Sequence, residues 1–189
     1  MKAIQTTYKG YRFRSRLEAR WAVFFDAMRI PWEYEPEGYR LPDGRGYLPD
    51  FRLPRMGLLL DIKPKPGGFD GMPWIEEGSK EYEFYESVST LDHPAYGVIY
   101  GTPGPTGDYS DLDSYAVCVG YDTPYLFCMC PWCGKLGVEF EGRGSRVCGS
   151  TAHGVAYDDR GHNPDHPELL IAFAAARSAR FEHGEIPGR

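Results

Sequence analysis

Tyr47-Leu48-Pro49-Asp50-Phe51-Arg52-Leu53-Pro54-Arg55-Met56-Gly57-Leu58-Leu59-Leu60-Asp61-Ile62-Lys63 reads as two strands joined by a hairpin. Tyr47 to Leu53 and Leu58 to Lys63 are the apolar runs, and Pro54 to Gly57 supplies the turn between them. Alternate residues of a strand share a face. Asp61 and Lys63 therefore point one way, while Leu58, Leu60 and Ile62 point the other way, into a core. Pairing across the hairpin brings Asp50, inside the first strand, beside Asp61. Two carboxylates and an ammonium then converge at one sheet edge.

The flanking sequence extends this unit. Ser15 to Ile30 has Leu17, Trp21, Phe24, Phe25 and Met28 at helical spacing, with Ser15 as N-cap and Pro31 as the stop. Trp32 to Tyr34 is a short strand, and Asp43-Gly44 is a turn signal. Pro64 to Gly78 is a loop rich in proline and glycine, Ser79 to Leu91 a second helix and Ala95 to Tyr100 a fourth strand. The order α-β-β-β-α-β over residues 1–101 predicts an α/β core with a mixed sheet. Residues 102–114 read as a linker. Residues 115–189 read as a hairpin (Tyr115 to Val119, Tyr125 to Cys130), a cysteine-bearing knob and a closing helix, Pro167 to Phe181.

Adjacent carboxylates repel unless a cation lies between them. Mg²⁺, or Mn²⁺ in its place, suits such a pair, because it takes one or two carboxylates together with water and phosphate oxygens. An isolated Asp-x-Lys is far more often a surface ion pair. Glu18 also has an ordinary role, since Ser15-x-x-Glu18 has the form of a capping box.

Taken in order, these residues resemble the PD-(D/E)xK nuclease superfamily. Glu18 corresponds to its helix glutamate, Pro49-Asp50 to its P-D, and Asp61-Ile62-Lys63 to its (D/E)-x-K. The likeness spans roughly residues 10–101. Small phage junction-resolving endonucleases and transposon-end nucleases are similar in further detail: Tyr11-Arg12-Phe13-Arg14-Ser15-Arg16-Leu17-Glu18, Trp32-Glu33-Tyr34-Glu35 and Pro49-Asp50-Phe51 repeat their motifs. Whole-chain likeness, including the cysteine knob, is to proteins of actinobacteria and their phages. Asp61 stands where Glu is commoner, and Pro64 follows the lysine where relatives often carry Gly.

The resemblance implies a restriction-endonuclease-like core and hydrolysis of a DNA phosphodiester to leave a 5′-phosphate. Asp50, Asp61 and the Ile62 carbonyl would hold Mg²⁺. Glu18 would complete the metal shell or hold a second ion, and Lys63 would position the attacking water. Branched or otherwise structured DNA is the substrate these relatives suggest, and cutting at junctions would require a homodimer. A non-catalytic nucleic-acid-binding or assembly module, or a nuclease acting on RNA, are the other readings.

Five cysteines suit thiols or metal ligands better than disulfides. Cys130 and Cys133 form a C-x-x-C followed by Gly134, with Cys148 and His153 at zinc-site spacing. The zinc expected here is structural, because so short a knob buries little apolar surface. Cys128, His162 and His166 are alternatives to His153 as fourth ligand, and Cys118 reads as a small buried residue.

The net charge is -6, but residues 1–55 carry 11 Lys and Arg against 7 Asp and Glu. Arg12, Arg14 and Arg16, just before the first helix, are the candidates for contacts with a DNA backbone. There is no run of about 18 apolar residues and no apolar stretch in Met1 to Gly10. The expectation is a cytoplasmic protein without a membrane span, in the host cytoplasm if phage-encoded.

Overall fold

The computed structural model describes residues 4–65, 75–88, 96–104, 117–118, 124–130, 133–140 and 166–181. Strands β1 (Thr6–Tyr8) and β2 (Tyr11–Phe13) form a hairpin across Lys9 and Gly10, both in left-handed conformation (φ 48° and 83°). Such two-residue turns match the twist of the strands they join. Helix α1 (Arg16–Ala27) follows, capped by Ser15, whose Oγ accepts the Glu18 amide at 3.2 Å. Its buried face carries Trp21, Phe24 and Phe25. The helix stops short of the expected Ile30, because Arg29 turns to φ 55° ahead of Pro31.

Beyond α1 come β3 (Glu33–Tyr34), β4 (Tyr39–Arg40), β5 (Gly46–Tyr47), β6 (Phe51–Leu53) and β7 (Leu58–Lys63). A 3₁₀ turn, Pro54–Met56, links β6 to β7, with Gly57 left-handed at its end. The strand expected over Tyr47 to Leu53 is two strands: β5 pairs with β4 in a sheet of their own, and only β6 joins the main sheet. Pro49, without an amide to donate, lies at the break. Asp50 therefore precedes β6 and is not inside it.

Helix α2 (Lys80–Val88) lies on the connection between β7 and β8 (Tyr96–Tyr100), which pair in parallel. Parallel neighbours need a crossover of this kind. Of the expected loop Pro64 to Gly78, residues 66–74 lie outside the described residues. The sheet continues past Gly101 into β9 (Val117–Cys118), β10 (Pro124–Met129) and β11 (Leu136–Phe140). The seven strands run β11-β10-β9-β8-β7-β6-β3, all neighbours antiparallel except β7 and β8. The chain is thus a mixed α/β protein, with three α-helices among the described residues.

Two clusters cover the two faces of β7. Leu58, Leu60 and Ile62 join Trp21, Phe24 and Phe25, together with Phe127, Leu136, Val138 and Phe173. Leu59 joins Tyr47, Phe84 and Tyr96. Helix α3 (Pro167–Ser178), capped by His166, packs on α1. Phe24 and Phe173 stack there with ring centres 4.7 Å apart. No helix among the described residues is long and apolar enough to cross a membrane.

Candidate active site

Register sets the centre of the site. Phe51 opposes Leu60, so Asp50 comes to lie against Asp61. The Asp50 amide donates to Asp61 Oδ1 at 3.2 Å, and the Ile62 amide donates to Asp50 Oδ2 at 2.7 Å. Both residues are buried, at 6% and 3% exposure. Burial first, and the charge of Asp61 second, push the Asp50 carboxyl up from 3.8 to about 7.

Lys63 lies on the same face as Asp61, with Nζ 3.3 Å from Asp61 Oδ2 and 3.0 Å from Glu81 Oε1 on α2. Burial works to lower its pKa, but Asp61 and Glu81 outweigh that and leave it raised. Asp61 and Glu81 thus favour the charged form of Lys63. Tyr47 donates its hydroxyl to Asp61 Oδ2 and meets the Tyr96 hydroxyl at 2.6 Å. Burial and the neighbouring carboxylate raise the Tyr47 phenol, so it stays a donor.

Glu18 accepts three hydrogen bonds: from Ser15 Oγ at 2.6 Å, the Tyr34 hydroxyl at 2.6 Å and the Arg14 amide at 3.1 Å. It holds the hydroxyl of the capping Ser15, with the Arg14 amide in place of the Ser15 amide that a capping box would use, and it also lines a cleft of about 410 Å³ shared with Arg14, Tyr47, Asp50, Asp61 and Lys63. Support of the cap and lining of the cleft are compatible.

The three arginines diverge, and Arg12 and Arg14 have different partners. Arg12 bonds Gln5 beside the first hairpin. Arg14 reaches into the cleft, pairing with Asp50 Oδ1 through one terminal nitrogen and with Glu35 Oε1 at 2.9 Å through Nε. Arg16 sits in the first turn of α1. Glu35 has a left-handed backbone (φ 46°), and its amide donates to the Asp50 carbonyl at 2.9 Å. Such a conformation is uncommon for a non-glycine residue.

Among the described residues no three Asp, Glu, His or Cys side chains form a ready-made metal cage. The donors that do converge are the Asp50 and Asp61 carboxylates, with Ile62 lining the same cleft. They suit an ion that keeps most of its shell as water and phosphate oxygens, as Mg²⁺ does. Asp61 Oδ1 and both Asp50 oxygens each keep a second lone pair beyond the bond they accept, whereas Asp61 Oδ2 already meets both Tyr47 and Lys63. The raised Asp50 pKa reflects burial first and the Asp61 charge second, and a cation would offset the second.

In the cysteine region, the Cys130 amide donates to the Lys135 carbonyl and the Gly134 amide to the Cys130 carbonyl, each at 2.8 Å. Cys128 is buried on β10. His166 accepts the Glu168 amide through Nδ1 as the cap of α3. Cys148, His153 and His162 lie outside the described residues. Cys118 lies on β9.

Comparison with protein-family models, curated proteins and solved structures finds no match for this chain. Tyr47, Glu81, Tyr96 and Glu35 complete the constellation and were not singled out from the sequence as site residues. Tyr34 and Glu35 stood in the quoted aromatic-glutamate motif, which was the one signal available for them.

Proposed function

We propose that the protein is a metal-dependent DNA endonuclease with a restriction-endonuclease-like core. The observation that carries this reading is the reciprocal pairing of buried Asp50 and Asp61 beside Lys63 in one cleft. The element order adds support. Helix α1, strands β3, β6 and β7, helix α2 and the parallel strand β8 follow the αβββαβ order implied by the motif.

Asp50, Asp61 and the Ile62 carbonyl are the groups that would hold Mg²⁺ or Mn²⁺, with Glu18 close by. A divalent ion held there acidifies a bound water and offsets charge on the phosphate. Lys63 contributes a positive charge aimed at the same space, where it steadies the developing negative charge. Tyr47 and Glu81 restrain Asp61 and Lys63, so the pair is positioned before substrate arrives.

Cys130 and Cys133, with Cys148 and His153, would hold a structural Zn²⁺. The 2.8 Å bond from the Gly134 amide to the Cys130 carbonyl supports this, since it holds the backbone just after Cys133 against Cys130.

One observation favours a second reading. Arg14 already pairs with Asp50, as it would in a nucleic-acid-binding module that performs no chemistry. The deciding experiment titrates Mg²⁺ and Mn²⁺ against plasmid, branched DNA and RNA in parallel. Metal-dependent cutting of DNA that vanishes in Asp61→Asn supports the nuclease. Salt-sensitive DNA binding in Ca²⁺ with no cutting in any metal supports the binding module. Cutting of RNA alone would redirect the substrate.

A further inference from the structure

We propose that Arg14 is the resident counter-cation of Asp50, exchanged for the divalent ion when metal binds and kept at the cleft by Glu35 for use on the phosphate. This rests on the nuclease reading of the same site. Asp50 is buried beside a second carboxylate, and among the described residues Arg14 is the cation paired with its side chain. The Arg14 backbone is fixed, its amide shared between Glu18 Oε2 and the Tyr34 hydroxyl, each at 3.1 Å. Its side chain is 54% exposed, which leaves room on the solvent side for the terminal nitrogen to move off Asp50. A guanidinium on Asp50 Oδ1 and a metal ion on the same carboxylate repel each other, so each weakens the other's hold.

Glu35 gives the arginine a second holding point. It bonds a different guanidinium nitrogen, Nε, so that contact can persist when the terminal nitrogen leaves Asp50. Glu35 is tied by its amide to the Asp50 carbonyl and held in a left-handed conformation. The arrangement gives a fork with one tine on a permanent acceptor and one on an exchangeable acceptor. The released tine presents two N–H donors, a geometry suited to phosphate oxygens. Arg14 is thus a positioning residue that changes partner.

The test uses the full chain and Mn²⁺ alone, by calorimetry, with no nucleic acid. Arg14→Gln should bind Mn²⁺ on the order of tenfold more tightly, the ratio that corresponds to removing a competitor worth about 1.4 kcal/mol. Glu35→Gln should bind it more weakly, because Arg14 then has Asp50 alone to hold. In ¹⁵N spectra of wild type, the Arg14 Nε–H signal, assigned by its loss in Arg14→Lys, should shift saturably with Mg²⁺. Mn²⁺ affinity that is unchanged or weaker in Arg14→Gln, with an unmoved Arg14 signal, overturns the exchange. If that binding still depends on Asp50, the nuclease reading survives. If neither protein binds Mn²⁺ through Asp50, both ideas fall.

Discussion

Asp50 and Ile62 are joined by a 2.7 Å bond from the Ile62 amide to Asp50 Oδ2, and the Asp50 amide returns a 3.2 Å bond to Asp61 Oδ1. Each carboxylate is thereby used to hold the backbone that carries the other. The two charges cannot drift apart without breaking strand-to-strand bonds. Their repulsion is therefore built in and available to drive cation binding.

Asp50→Asn and Asp61→Asn should each remove most of the affinity for Mg²⁺ and abolish DNA cleavage. Metal-free stability should change little, since the loss of a buried like-charge contact offsets the loss of the bonds that the second carboxylate oxygen accepts. A cleavage time course and a thermal melt with and without Mg²⁺ measure both. An Asp61→Asn protein cutting at the wild-type rate would falsify the assignment.

Stability should depend on pH through Asp50. Its folded pKa of about 7 lies above the ordinary 3.8, so between those values the folded chain holds a proton that the unfolded chain has lost. The contribution is fully present below about pH 4 and is lost as pH rises through about 7. Asp50→Asn should flatten that part of the metal-free melting profile. Mg²⁺ competes with the same proton, so its stabilising effect should grow as pH rises through about 7. Superimposable wild-type and Asp50→Asn profiles would contradict this.

Lys63→Ala should keep metal binding but lose on the order of 10²-fold or more in turnover, as for a charge that acts in the transition state. Glu81→Gln, which loosens Lys63 without removing it, should cost less. The comparison requires kcat and KM for both variants beside a Mn²⁺ titration. Equal losses in the two proteins would show that Lys63 matters only through its pairing with Glu81.

Glu18→Gln separates two roles. The amide oxygen can take the Tyr34 and Arg14 donors while its NH₂ faces Ser15 Oγ, so folding should change by less than about 1 kcal/mol. Normal cleavage in that protein means Glu18 is a cap only. Poor cleavage with an unchanged melt means its charge serves the metal.

Purified protein should contain about one Zn²⁺ per chain, the number a single tetrahedral site takes. Cys130→Ser or Cys133→Ser should lower both zinc content and thermal stability. Metal analysis showing none in protein purified without chelators removes the zinc proposal.

Local signals made much of this legible. The span of β7 and the Ser15 cap can be read from residue type and spacing, and the Asp50–Asp61 pairing follows from a short hairpin. The split between β5 and β6 was harder, because Tyr47 has the same strand preference whichever partner it takes. Only Pro49 marks the break. Tyr47 and Glu81 reach the site through contacts distant in sequence, which no spacing rule encodes. The same holds for the pairing of Val98 with Cys118, which carries the sheet beyond Gly101.

The stacking of Phe24 on Phe173 has a consequence for synthesis. A ribosome delivers Glu18, Asp50, Asp61 and Lys63 early, while the helix that shields the aromatic face of α1 emerges much later. Until then Trp21 and Phe24 lack part of their cover. The nascent chain therefore passes through a long interval with a sticky aromatic surface exposed. Pausing between β8 and α3 should make it dependent on chaperones, whatever the final stability of the folded protein.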